Sequence, residues 1–466
     1  MIRKGRYDRP RYPLAAATLL LFLCATLPLP YLSKAAEPSA PNYVLIFLAD
    51  GGSLGQLEIA RLYNRQVHQQ GLVITDKVMK EGFYGSLTTH SADHLVTDSA
   101  AAATAMAGGC KAKNGVVGIC HDGRIPETVM ERARKNGMGI GLITNAAIYD
   151  ASPAAFISHV RSRRDYGSIL EQYLKFAPEL LLGGGRDRFL PQSQMRTQRR
   201  DERDPILLFK AKGYHYVATR AELKEAQGPK VLGLFHMGEM SFEHERDGGA
   251  EPSLSEMAQA ALRILHAQNS RGFVLFVESE HIDSAAHLTD APSLIHAVRE
   301  FDRTVNLGYE FYKKFPAQTL LLVVSDHDTG GLGLTGGASA RDLKKLQSVR
   351  LSFGKAAELL GERPTLQAID QLIAEHFPGF VLPIDLREAI LKRKTLGPPF
   401  PANPTVAALG AMVARQIRAS WASSGHTNQP VFLAALGVGA ERFRGYQDNT
   451  DFGHHLLALL QAKRSR

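Results

Sequence analysis

Tyr43-Val44-Leu45-Ile46-Phe47-Leu48-Ala49, running straight into Asp50-Gly51-Gly52, decides how the rest of this chain is read. A strand with one face in water alternates apolar and polar residues. A continuous apolar run suits instead a parallel strand covered on both faces. Outward from this stretch the pattern recurs. Gly139-Ile140-Gly141-Leu142-Ile143-Thr144 is a second run, and Phe273-Val274-Leu275-Phe276-Val277 ends in Glu278. Leu320-Leu321-Leu322-Val323-Val324-Ser325 ends in Asp326-His327, and Val431-Phe432-Leu433-Ala434-Ala435-Leu436 begins soon after His426. Helical patterns lie between the runs, over 256–268 and 292–314 for example. Strand–helix alternation of this kind predicts an α/β fold with a doubly wound, mostly parallel central sheet flanked by helices.

In such sheets ligands bind at the carboxyl ends of the strands. Asp50, Glu278, Asp326 and His327 all fall there. One aspartate after a strand is usually a cap or turn residue, but three strands ending in metal-ligand side chains point to a site. Asp283 and His287 add a pair four apart, which one helical turn places on a single face. His426 sits in the tight turn Ser424-Gly425-His426-Thr427. Thr97-Asp98-Ser99 runs into Ala100-Ala101-Ala102-Ala103-Thr104-Ala105. An alanine run is the best intrinsic helix former. It puts Ser99 in a first helical turn, where free backbone N–H groups and the helix dipole attract an anion. Serine is also a common cap residue, so it is the acidic and histidine clusters that make Ser99 a candidate nucleophile.

With 466 residues, 44% hydrophobic and 22% charged, the chain is globular and long enough for a large core. Fixed-period repeats and low-complexity tracts are absent from the sequence. Residues 1–35 carry +5 of the formal net charge of +9, leaving +4 for the remainder. No basic run is interleaved with aromatic residues, so nucleic-acid binding is not expected. A basic start followed by Leu14-Ala15-Ala16-Ala17-Thr18-Leu19-Leu20-Leu21-Phe22-Leu23-Cys24-Ala25 reads as an export signal, with cleavage after Ala35 or Ala36. An uncleaved anchor is the alternative, and only that would tie the protein to a membrane. In an exported protein Cys110 and Cys120 can close a small loop as a disulfide, or remain free thiols. After the signal, 36–466 reads as one α/β domain. The stretch 194–230 reads as a peripheral loop and helix. The proline-rich stretch 332–424 reads as an insertion on the active-site side, a cap or interface element.

Taken in order, Asp50-Gly51, Thr97-Asp98-Ser99-Ala100-Ala101, Asp150-Ala151-Ser152-Pro153-Ala154, His159-Val160-Arg161-Ser162-Arg163, Glu278 to Asp283 to His287, Asp326-His327, Gly425-His426-Thr427 and Asp448-Asn449-Thr450-Asp451 resemble the alkaline phosphatase family over about 42–455. That resemblance implies a site with two zinc ions and one magnesium. One zinc would be held by Asp283, His287 and His426, and the second by Asp50, Asp326, His327 and Ser99. Magnesium would take Asp50, Ser152 and Glu278, with Asp150 holding its waters. The donor types agree: zinc accepts mixed nitrogen and oxygen ligands, and magnesium wants oxygens and water. The implied activity is hydrolysis of small-molecule phosphate monoesters through a phosphoserine on Ser99. Arg163 would clamp two phosphate oxygens, a fork that lysine cannot offer. Asp98 would aim Arg163, and Arg161 and Arg164 are its near rivals.

The sequence departs from familiar family patterns at Ser284, where relatives often carry Lys, His or Trp. With no cation there, magnesium is expected at the third position and phosphate is expected to be held less tightly. Glu280 and His281 are unusual too, and are expected at the pocket edge. The alternative activities are a phosphodiesterase or phosphonate hydrolase of the same superfamily. A non-catalytic relative would be expected to lack the serine or a ligand, and none is missing. The resemblance further implies a homodimer with 332–424 near the interface. Location outside the cytoplasm, periplasmic or extracellular, follows from the export signal.

Overall fold

The computed structural model describes residues 40–461. Its strands, in chain order, are β1 (Tyr43–Ala49), β2 (Phe83–Leu87), β3 (Gly139–Ala147), β4 (Leu180–Gly184), β5 (His215–Val217), β6 (Val231–Leu234), β7 (Phe273–Ser279) and β8 (Thr319–Ser325). Four short strands follow, β9 (Asp328–Thr329), β10 (Gly333–Leu334), β11 (Ala419–Ser420) and β12 (His426–Thr427), then β13 (Val431–Gly437) and β14 (Gly445–Gln447). Ten of these form one sheet in the order β14-β2-β13-β8-β1-β7-β3-β4-β6-β5. From β8 through β5 every pairing is parallel. β13 alone runs against its neighbours, β8 and β2. The fold is therefore the mixed, mostly parallel α/β sheet expected from the apolar runs.

The reason β1 is apolar throughout is visible in its neighbours. Leu45 and Phe47 pack into one helical layer, Val44, Ile46 and Leu48 into the other, and all five are fully buried. Each such side chain removed from water stabilises the fold by roughly 1.5–3 kcal/mol. One layer contains the helices Leu254–Gln268 and Ala291–Lys314, and the other the helices Ser99–Gly108 and Asn449–Gln461. The register then fixes the site. Ala49 lies opposite Ser279 on one side and Ser325 on the other, and Glu278 lies opposite Leu48 and Thr144. Asp50 and Asp326, each one residue further on, therefore leave the sheet side by side, with Glu278 two residues deeper.

One sequence expectation needs correction. The segment 194–230 is not only loop and helix, because it contributes the edge strand β5, parallel to β6. His215-Tyr216-Val217 is too short for a recognisable run. The segment 332–424 leaves through β10 and returns through β11, which pair antiparallel at its neck. Between them stand helices Phe353–Leu360, Leu366–His376, Ile384–Leu391 and Pro404–Ile417. Cys110 and Cys120 form a disulfide with their Cα atoms 5.6 Å apart. The proposed export signal lies outside the described residues. Among the described residues no helix is long and apolar enough to cross a membrane.

Candidate active site

Asp98 starts the Ser99 helix. Its extended backbone (φ −104°, ψ 167°) and its carboxylate, which accepts from Ala101 N, make it the N-cap. Ala100, Ala101, Ala102 and Ala103 are all buried, because methyl side chains let this helix lie close under its neighbours. Gly453 of the helix Asn449–Gln461 is the closest approach: a Cβ there would meet Gly109 N at 2.6 Å and Met106 O at 2.9 Å. Ser99 is thus held, 5% exposed, at the first turn.

Its hydroxyl faces His327. Ser99 Oγ lies 3.2 Å from His327 Nε2, and the same nitrogen is 3.3 Å from Asp50 Oδ1 and 3.4 Å from Asp326 Oδ2. The other Asp326 oxygen already accepts from Gly51 N and His327 N. The free one therefore points at the cluster. Asp50 is divided likewise: Oδ1 faces His327, and Oδ2 accepts from Ser152 Oγ at 3.2 Å. A second cluster lies beside it. His287 Nε2 is 3.2 Å from His426 Nε2 and 3.1 Å from Asp283 Oδ2. These two sets, Asp50 with Asp326 and His327, and Asp283 with His287 and His426, each bring three donors close enough to hold a metal ion.

The histidine tautomers follow from their far sides. His287 Nδ1 lies 2.7 Å from the Ser424 carbonyl oxygen and His426 Nδ1 lies 2.8 Å from that of Thr97. A carbonyl only accepts, so each Nδ1 carries the proton and each Nε2 keeps its lone pair for the cluster. Thr329 does the same for His327. Its hydroxyl donates to Asp283 Oδ1, so it receives the His327 Nδ1 proton at 3.3 Å. β12 brings His426 into place by pairing His426 with Thr329 of β9. The His327 and His426 rings stack with centroids 3.7 Å apart.

Arg163 lies between two carboxylates. It donates to Asp98 Oδ2 at 3.3 Å and to both oxygens of Asp150, at 3.2 and 3.3 Å. Its rivals Arg161 and Arg164 are exposed, whereas Arg163 is part-buried. Glu278 lies in the floor. Neither of its oxygens has a hydrogen bond of good geometry, although Thr144 and Ser152 are beside it.

The electrostatics are those of a site short of positive charge. Burial, then Asp326 and Asp283, push Asp50 well above the usual carboxylate range. Burial and Asp283 do the same to Asp326, and burial raises Glu278 to about 7. Burial opposes ionisation of Asp283 as well, but the hydrogen bond to His287 prevails and holds it low. Burial keeps His327 neutral, as a ligand imidazole must be. Buried carboxylates without donors are stable when they coordinate cations. A Ser–His base alone would not need two carboxylates on the nitrogen that faces the serine.

All the sequence-predicted residues converge on this face. His281 is the exception among the unusual residues: it is buried against Phe242, and its Nε2 lies 2.9 Å from the Met240 carbonyl oxygen, away from the pocket edge. Sequence reasoning missed Thr329 and the Thr97 and Ser424 carbonyls. Thr329, in Asp326-His327-Asp328-Thr329, was open to inspection. The carbonyls leave no trace in a sequence.

The family model for alkaline phosphatase matches residues 41–462. The chain is 31% identical over 389 residues to alkaline phosphatase 4 of Bacillus subtilis, covering 81% of this chain and 80% of that one. It is 36% identical over 338 residues to the repressible alkaline phosphatase of Saccharomyces cerevisiae, covering 67% and 59%. The crystal structure of Thermus thermophilus alkaline phosphatase superposes with a TM-score of 0.83 at 30% identity, covering 95% of this chain and 97% of that one.

Proposed function

This chain belongs to the alkaline phosphatase family and is a phosphatase, and from that premise we propose that Ser99 attacks phosphate monoesters and carries the phosphoryl group as phosphoserine. The observation that carries this reading is the meeting of Ser99 Oγ, Asp50 Oδ1 and Asp326 Oδ2 on His327 Nε2 at 3.2, 3.3 and 3.4 Å. Donors at the corners of a zinc tetrahedron are about 3.3 Å apart, given metal–ligand distances near 2.0–2.1 Å. The 3.2 Å between His287 Nε2 and His426 Nε2 has the same length. These spacings support zinc held by Asp50, Asp326, His327 and Ser99, and zinc held by Asp283, His287 and His426. Asp50, Ser152 and Glu278 offer oxygens only and suit magnesium, with Asp150 at the edge of that set. Bound there, the ions supply Lewis acidity that favours the serine alkoxide and offsets charge on the leaving oxygen.

The chain's own groups do the rest. The helix start presents free N–H groups and a positive dipole end to the phosphate. Arg163, fixed by Asp98 and Asp150, offers its fork to two non-bridging oxygens. That favours a dianionic monoester over a diester, which has one charge fewer. Ser99 forms the bond to phosphorus as the alcohol leaves, and water later releases inorganic phosphate and restores the hydroxyl. Chromogenic monoester hydrolysis at alkaline pH tests this. Ser99→Ala is expected to lose at least about a thousandfold in kcat. Acid quenching of the parent with substrate is expected to leave phosphate on Ser99 by peptide mass spectrometry. Full activity in Ser99→Ala would refute the nucleophile.

Export to the periplasm or beyond is supported by the Cys110–Cys120 disulfide. A homodimer that uses 332–424 is supported by the exposed Leu359, Leu366, Val381 and Ile384 on that segment. Light scattering is expected to give twice the chain mass, and a monomer would sink the dimer.

A further inference from the structure

Away from the active site, three helices enclose a cavity of about 480 Å³. Helix Leu54–His68 and the loop after it form one wall, helix Leu254–Gln268 a second and helix Ala291–Lys314 a third. None of the lining residues belongs to the site described above. The loop wall is fixed by its neighbours: Asn64 Nδ2 donates to the Gly71 carbonyl at 2.8 Å, and Asp302 Oδ1 accepts from Ile74 N at 2.9 Å.

Arg299, half-buried, lines this cavity. Its Nε donates to Asn64 Oδ1 at 3.1 Å, and its guanidinium lies over the Tyr63 ring, 5.8 Å from the centroid. Those contacts hold the plane of the group and use only its Nε–H. Nη1 and Nη2 have no acceptor among the described residues, and neither is sealed from solvent. Burial pulls the Arg299 pKa down, and Asp302 and Glu243 act on it only from beyond ion-pair distance. A half-buried charge in that condition is short of a partner.

The acids of the cavity are already engaged. Glu256 accepts from Arg220 Nε at 2.7 Å and from Ser253 N at 2.9 Å, and Asp302 is 7% exposed and turned to Ile74 N. The second lining arginine, Arg303, is shared between Glu300 and Glu243. The side-chain amides of Gln70, Gln259 and Asn306 make no hydrogen bond among the described residues. A cation would meet two guanidinium groups and no free carboxylate, and an apolar ligand would strand the Arg299 nitrogens. A carboxylate or phosphate takes two parallel N–H bonds from the open fork, and primary amides both donate to and accept from hydroxyl groups. A bare tetrahedral ion would leave most of the cavity unfilled, and its volume is within the roughly 300–1,000 Å³ of small-molecule sites. We propose that this cavity is a second, non-catalytic site for a polyhydroxylated organic oxyanion, with Arg299 on the carboxylate or phosphate and Asn306, Gln70 and Gln259 on the hydroxyls. The site does not depend on the phosphomonoesterase reading.

Titration calorimetry on the holoenzyme tests it with glucuronate, a carboxylate, and with the methylene phosphonate analogue of glucose 6-phosphate, which has no ester bond to hydrolyse. Neutral glucose is the control. At least one of the two anions is expected to bind at least about tenfold more tightly than glucose, the worth of a hydrogen bond to a charged group. Glucuronate alone would mark the ligand as an acid, and the phosphonate alone as a phosphate. Because the phosphonate can also enter the catalytic site, only the part of its binding that Arg299→Gln removes counts. Arg299→Gln is expected to weaken binding at least about tenfold, and Arg299→Lys, which keeps the charge without the fork, to restore only part of it. Asn306→Asp, which adds a like charge to the cavity, is expected to weaken it as much. In all three variants kcat/KM for a chromogenic monoester is expected to stay within about twofold of the parent, which also shows that they fold. Neither anion binding better than glucose, or binding indifferent to both Arg299→Gln and Asn306→Asp, would overturn the site. So would glucuronate acting as a competitive inhibitor whose strength Arg299→Gln leaves unchanged, since the catalytic site would then be where it binds.

Discussion

The imidazole of His327 presents Nε2 to Ser99, Asp50 and Asp326, while Thr329 occupies its Nδ1. Single side chains here are defined by what holds their far side, as with His287 on the Ser424 carbonyl and His426 on that of Thr97. The candidate ligand side chains were legible in the sequence, because Asp, Glu and His after apolar runs are visible there. Their orienting partners were not, because a carbonyl belongs to every residue and only folding selects which one is near. Ser284 belongs to this level too. Its hydroxyl donates to Glu280 and brings no charge of its own. Ser284→Lys is expected to strengthen inhibition by inorganic phosphate by about tenfold, the effect of one charge-assisted hydrogen bond. Unchanged inhibition would mean that this position does not reach the phosphate.

The Ser99 helix and the helix Asn449–Gln461 lie close together because alanines face a glycine, Gly453. Asp448 ties the second helix down. It accepts from Thr450 N at 3.0 Å and Thr450 Oγ1 at 2.8 Å, from Thr88 Oγ1 at 2.8 Å, and it pairs with Lys111 Nζ at 3.1 Å. Burial raises its pKa, but these donors outweigh burial and bring it down to about 2. A carboxylate depressed in the folded state stabilises above its unfolded pKa of about 4, and that stabilisation is lost as pH falls through 2. Asp448→Asn, which keeps a capping oxygen but loses the charge facing Lys111, is therefore expected to cost up to about 1 kcal/mol at pH 7 in urea unfolding, the upper worth of a partly exposed ion pair. Parent and variant are expected to converge between pH 4 and 2; a constant gap would assign the loss to shape rather than charge. At this level the alanine run was legible as a helix start. β5 was not, since three residues are too few for a pattern and only pairing with β6 defines them.

Across the whole chain, the sheet gathers more buried negative charge than its own cations can balance. Asp50 Oδ1, Asp326 Oδ2 and both Glu278 oxygens lack donors. A folded state that binds metal through such groups is stabilised by mass action, by roughly 4 kcal/mol at a thousandfold excess over Kd. Chelation of the holoprotein is expected to lower Tm by several degrees in calorimetry, with recovery on readdition of zinc and magnesium. A Tm indifferent to chelator would count against metal in these clusters. The sequence by itself determined the layered α/β fold, because runs without a polar face can only be buried on both sides. It also determined the roster of Ser99 and the candidate acid and histidine ligands, because their types and order are written in the chain. Only the tertiary structure decided that Asp50 divides its two oxygens between His327 and Ser152, and that Arg163 rather than Arg161 or Arg164 enters the site. Those pairings join segments far apart in the chain, and register and loop closure, not local pattern, set the distances between them.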